Sequence, residues 1–296
     1  MGRILFLVFL FAFVALNPAK AVGIITGGTD FSNYTYSYNT SAPAPPGWNN
    51  VGQVNGASGV YLGNGWVITA GHVGAGNFTL NGTTYAAVAG ASMSVTNGSD
   101  TADLTLFRIS PQPGLAPLIL STTDPKAMST TAQGSSVVMA GFGGDGNNRT
   151  WGTNNITFIN QSITLDGTPY SSNDFLTISQ TFTEGRTTSN NLTQVVVGDS
   201  GGGDFIFNSS SSQWELAGIN EVNGTVTLTI NGTATTYTMS GMVQLSTYAA
   251  QINAIIAPPV DSPAMPFPAL VILGCLLILS ASYSLRMKTP NSHPSS

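Results

Sequence analysis

The sequence predicts an all-β protein, a sandwich or barrel of many short strands closed off by one helix. Three observations lead there. Short runs rich in Val, Ile, Thr and Tyr recur along the chain. Clusters of Gly, Asn and Pro separate them, in a chain with 34 glycines and 16 prolines. Only one stretch has a helical period. Frequent short strands with turn signals between them fit a sandwich or a barrel.

In chain order the strand runs are VYLGNGWVIT (60–69), DLTLFRI (103–109), SSVVMAGFG (135–143), WELAGINEV (214–222) and TVTLTINGTATTYTM (225–239). The last contains Asn231-Gly232, a favoured two-residue hairpin turn. The helix is STYAAQINAII (246–256), where Tyr248, Ile252, Ile255 and Ile256 share one face. Ser246 is its expected N-cap, and Pro258 and Pro259 stop it.

The ends differ from this body. Residues 1–21 carry Arg3, an apolar stretch from Ile4 to Leu16 and the exit Ala19-Lys20-Ala21. That pattern is a secretory signal peptide cleaved after Ala21. Residues 257–268 are proline-rich and read as a stiff linker. A second apolar run, Ala269 to Leu285, is followed by Arg286 and Lys288. A spanning helix needs about 17–25 residues, so this run is a candidate transmembrane segment at the lower limit. The basic residues after it place 286–296 in the cytoplasm and the body outside.

The body from Val22 to Val260 has four basic residues (Arg108, Lys126, Arg149, Arg186) against twelve acidic ones, a net formal charge of −8. Phosphate binding needs clustered Lys and Arg, so nucleic acid is not an expected partner. Cys275, in the C-terminal apolar run, is the chain's one cysteine. The body therefore has no disulfide, no cysteine-ligated zinc and no cysteine nucleophile. No metal and no cofactor are expected.

The body contains one histidine, His72, just after the strand GWVIT at the turn Ala70-Gly71. Ser200 sits in VGDSGGGDFIF (197–207). Glycines on both sides allow a tight turn and close substrate approach. Such a loop can aim the backbone N–H groups of Gly198 and Ser200 at one point, as an oxyanion hole requires. The same five residues also fit G-x-S-x-G of the α/β-hydrolases. That fold runs Ser, Asp, His, and no histidine follows Ser200 within the body. The subtilisin order Asp, His, Ser could formally begin at Asp30, but the strand–helix alternation of that fold is absent. The remaining order, His then Asp then Ser, needs an aspartate between 72 and 200. Asp103 opens ADLTLFRI and should be partly buried, which requires a partner; Asp100 lies in the polar turn NGSD and reads as a solvated acid.

With these residues in place, the sequence resembles the chymotrypsin/trypsin family. WVITAGHV (66–73) resembles its histidine motif, ADLTLFRI its aspartate strand, VVMAGFG (137–143) its V-x-G-W-G strand and VGDSGGG its G-D-S-G-G-P loop. LAGINEV (216–222) is similar to the substrate-lining strand, and GMVQLSTYAAQINAII (241–256) to the closing strand and helix. The resemblance implies two six-stranded antiparallel β-barrels with a short C-terminal helix. The first would span residues 22–125 with His72 and Asp103, the second 126–256 with Ser200. It implies a serine endopeptidase that cleaves protein or peptide substrates. Ser200 would attack, His72 would shuttle the proton and Asp103 would orient the imidazole.

The chain departs from the family pattern in four places. Gly71 stands for an alanine, Gly203 for a proline, Val73 for a cysteine, and the bottom of the specificity pocket is Gln194. A neutral Gln194 does not favour Arg or Lys at the cleavage site. IITGG (24–28) resembles the family's freed amino terminus, whose partner would be Asp199; cleavage after Ala21 would instead leave Val22 first. The tail 263–288 resembles bacterial PEP-CTERM sorting signals, which implies a sorting enzyme as a partner. A plain single-span membrane anchor reads the same segment equally well. Either way the expected location is the cell surface, periplasm or exterior. The competing readings of the body are an inactive protease-like surface adhesin or binding module, and an esterase using the same residues.

Overall fold

The computed structural model describes residues 47–129, 132–143, 149–165, 168–178, 181–183, 186–189, 193–230 and 233–258. The expected signal peptide, the IITGG segment, the Asn231-Gly232 turn, most of the linker and the apolar tail lie outside them. Among the described residues, no helix is long and apolar enough to cross a membrane.

Two closed antiparallel barrels form within residues 1–256. The first is built from β1 (Val51–Val54), β2 (Ala57–Gly63), β3 (Trp66–Ala70), β4 (Phe78–Leu80), β5 (Thr83–Asn97) and β6 (Asp100–Ser110). Their order around the barrel is β1-β2-β3-β6-β5-β4, and β1 closes on β4. The run expected at 60–69 is two strands rather than one. Asn64 (φ 53°) and Gly65 (φ 80°) turn the chain between β2 and β3. The same Asn-Gly pair with both φ positive joins β1 to β2 at Asn55-Gly56 and β4 to β5 at Asn81-Gly82. This mirror-image turn matches the right-handed twist of the flanking strands.

The second barrel uses β7 (Ser136–Gly141), β8 (Thr150–Leu165), β9 (Thr168–Ile178), β12 (Gly203–Asn208), β13 (Gln213–Ile230) and β14 (Thr233–Gln244), in the order β12-β13-β14-β9-β8-β7. A small separate sheet pairs β10 (Thr181–Thr183) with β11 (Arg186–Ser189). The runs expected at 214–222 and 225–239 are not separate at Asn223-Gly224. β13 continues through them, pairing with β14 from Gly218↔Gln244 to Ile230↔Thr233. Its far half alternates buried Val226 and Leu228 with exposed Thr225, Thr227 and Thr229. The buried side packs with Ile163, Leu176, Tyr237 and Met239 in an apolar cluster of its own.

Alternation along the strands divides the core. In β6, Phe107 and Ile109 join Val54, Tyr61, Val67 and Phe78 in one first-barrel cluster. Leu104 and Leu106 join a cluster shared with Leu216, Ile219, Val243, Tyr248 and Ile252. That shared cluster welds the barrels together, and burying one such side chain contributes about 1.5–3 kcal/mol. The helix α1 (Leu245–Ile256) buries Tyr248, Ile252 and Ile256 as its period predicts. It begins one residue earlier than expected. Ser246 therefore lies inside the first turn and does not cap it; its hydroxyl donates to Asp124 Oδ1 at 2.8 Å.

Candidate active site

β3 ends at Ala70, and the turn that follows presents His72. The Gly71 N–H donates to the Asp103 carbonyl at 2.8 Å, so turn and strand β6 are stitched together. A side chain at Gly71 would press on Asp103 Oδ1 at 2.6 Å, which explains the glycine there. Asp103 is not the first residue of its strand; β6 starts at Asp100. Its carboxylate is buried and grips His72 twice. Oδ1 accepts the His72 backbone N–H at 2.8 Å, and Oδ2 lies 2.6 Å from the ring Nδ1. That contact calls for the Nδ1–H tautomer, which leaves Nε2 as a base. Asp100 instead accepts a hydrogen bond from Asn173 Nδ2 at 3.0 Å.

Ser200 lies in a loop whose shape rests on Gly198 (φ 96°) and Gly201 (φ 85°). Those values suit glycine alone. Two first-barrel hydrogen bonds, both from Ser58, hold this loop. Ser58 N–H donates to the Ser200 carbonyl at 2.9 Å. Ser58 Oγ donates to the Gly198 carbonyl at 2.9 Å and accepts the Phe142 N–H at 2.8 Å. Thr69, three residues before His72, donates its hydroxyl to the Ser58 carbonyl at 2.7 Å. The N–H groups of Gly198 and Ser200 donate to no acceptor among the described residues. Two free amides flanking a serine can stabilise an oxyanion. Ser200 Oγ points to the Glu221 carbonyl at 3.4 Å and makes no hydrogen bond to His72 in this state. Such bonds often tighten only when substrate is bound.

Asp199 has no exposed surface. Gly143 N–H donates to its Oδ1 at 2.7 Å and Val196 N–H to its Oδ2 at 3.0 Å. Burial pushes its pKa up to about 7 despite those two donors. The described residues supply it no cation. Gln194 is half-buried, and the segment beside it is pinned by Val195 N–H donating to Ser240 Oγ at 2.9 Å.

Sequence reasoning missed several groups here. Ser58 is one. Tyr170 is another: its hydroxyl, on β9, donates to Asp103 Oδ2 at 3.0 Å and lies 2.8 Å from His72 Nδ1. Glu221 and Asp174, both buried, are the remaining two. Burial pushes both carboxyls up, the Asp103 carboxylate adds to both, and Asp174 raises Glu221 further, while hydrogen bonds from Ser171 and Glu221 partly offset the rise at Asp174. The described residues contain no group of three metal-ligating side chains suited to an ion.

A family model described as Trypsin matches residues 37–249. No curated protein matches the chain. Among solved structures, the active form of the Rv3671c protease from M. tuberculosis is 17% identical, covering 76% of this chain and 92% of that one, with a TM-score of 0.39. The HtrA-type protease AlgW with a decapeptide is 18% identical over 68% of this chain and 51% of that one, TM-score 0.40. Kallikrein-related peptidase 10 complexed with Zn2+ is 18% identical over 73% and 99%, TM-score 0.43.

Proposed function

Because the chain belongs to the trypsin family of serine proteases, we propose that it is an endopeptidase with Ser200 as nucleophile, His72 as general base and acid, and Asp103 as the group that orients the imidazole. One observation carries this reading. The body's single histidine is held by a buried carboxylate at 2.6 Å and 2.8 Å. It follows β3, whose Thr69 donates to Ser58, the β2 residue that holds the Ser200 loop. In the reaction Ser200 Oγ attacks the scissile carbonyl and loses its proton to His72 Nε2. Asp103 then faces a cationic imidazolium and stabilises it. The Gly198 and Ser200 N–H groups receive the negative oxygen. His72 passes its proton to the leaving amine, and water releases the acyl group by the same steps in reverse.

Gln194, six residues before Ser200, supports a cleavage preference other than for Arg or Lys. The patterns at the two ends of the sequence support export and a membrane tether, with the body acting outside the cytoplasm. Parallel assays on casein and on a simple ester test the activity. Casein hydrolysis abolished by Ser200→Ala, and lowered by several orders of magnitude in His72→Ala, is expected. Ester cleavage without casein cleavage would favour the esterase, and neither activity the binding module.

A further inference from the structure

We propose that Tyr170 is a positioning residue for the His72–Asp103 pair, a strut from the second barrel that holds a carboxylate and an imidazole belonging to the first. The inference rests on the triad reading above and adds a fourth side chain to it. His72 and Asp103 sit on a turn and strand of one barrel, whereas Ser200 sits on a loop of the other. Something must fix the pair against rotation while Ser200 reacts. Tyr170 comes from β9, on the Ser200 side. Its hydroxyl donates to Asp103 Oδ2 at 3.0 Å, the same oxygen that faces His72 Nδ1 at 2.6 Å. With its proton committed to Asp103, the phenol oxygen turns a lone pair toward Nδ1, 2.8 Å away. Both oxygens near Nδ1 are then acceptors, so the ring is held in the Nδ1–H tautomer with Nε2 open.

The surroundings keep the phenol neutral and in place. Burial and the nearby carboxyls of Asp103, Glu221 and Asp174 all oppose loss of its proton. The neighbouring residues of β9 are docked independently of it. Asn173 Nδ2 donates to Asp100 Oδ2 at 3.0 Å, and the Ser172 carbonyl accepts the Tyr248 hydroxyl at 2.7 Å. Removing the Tyr170 hydroxyl alone should therefore leave β9 where it is.

The test compares the full-length protein with Tyr170→Phe and Asn173→Ala. Hydrogen bonds to charged groups have net values that correspond to about a tenfold or larger effect, so Tyr170→Phe should lower kcat about tenfold with KM unchanged. Proton NMR at low temperature should show a low-field His72 Nδ1–H resonance in the parent protein that moves in Tyr170→Phe. Asn173→Ala, which loosens β9 without touching Asp103 directly, should lower thermal stability and leave that resonance in position. An unchanged kcat, an equal loss in KM, or the same resonance in parent and Tyr170→Phe would overturn the proposal. A parent protein that never reacts at Ser200 would overturn the protease reading instead; the resonance reports on Tyr170 in either case.

Discussion

Raising the pH from about 4 to about 7 should weaken this fold, and Asp199 shows by how much. In the folded protein its pKa rises to about 7, whereas the ordinary value is 3.8. Between those two values the folded state keeps a proton that the unfolded chain has released. Its contribution is therefore full below about pH 4, falls as the pH climbs to about 7, and stays lost above that. The interval is about three pH units, and each is worth about 1.4 kcal/mol, so this one carboxyl removes about 4 kcal/mol. Asp204 acts in the same direction, being wholly buried with neither carboxyl oxygen bonded. Asp174 and Glu221 add to it, both raised by burial and by the nearby Asp103 carboxylate. Domains have about 5–15 kcal/mol in all, so the effect should be plain in urea unfolding of the full chain. The midpoint should drop between about pH 4 and pH 7 with an unchanged slope. A midpoint that stays flat or rises would refute the reasoning, and would mean that a cation, such as a freed amino terminus on Asp199, holds these carboxylates ionised.

Other outcomes follow from single contacts. Ser58→Ala leaves the half-buried Phe142 N–H and Gly198 carbonyl without their shared hydroxyl; a loss of about 1 kcal/mol in urea unfolding and slower acylation of Ser200 are expected. Gly201→Ala places a methyl against the Ser58 carbonyl and Thr69 Oγ1 at φ 85°, so its melting temperature should fall and probe labelling should vanish. In a peptide-library digest, cleavage should occur after uncharged residues in preference to Arg or Lys, because Gln194 offers no charge; a strict Arg/Lys profile would contradict that.

The His72–Asp103 contact could be read in advance because chain order and strand context narrow the choice to very few residues. Ser58 could not, because a lone serine in an apolar run has no local signature. Its role comes from a fold that brings it to Gly198, 140 residues away. Tyr170 was hidden for the same reason, 67 residues from Asp103. The β2–β3 division is legible in the sequence, since Asn64-Gly65 carries the same turn chemistry as Asn231-Gly232. Gly224 misled in the opposite direction. Paired with Met239, its missing side chain leaves the strand uninterrupted. A Glu at 221 gives no sequence hint of burial; it occupies the irregularity between Asn220 and Val222, where the register with β14 shifts.

Intact-protein mass spectrometry with a fluorophosphonate asks whether peptide bonds are cut through an acyl-enzyme on Ser200. One adduct is expected, located on Ser200, appearing in step with the loss of casein hydrolysis and absent from Ser200→Ala. Casein hydrolysis that survives complete labelling, or an adduct on another residue, would contradict it.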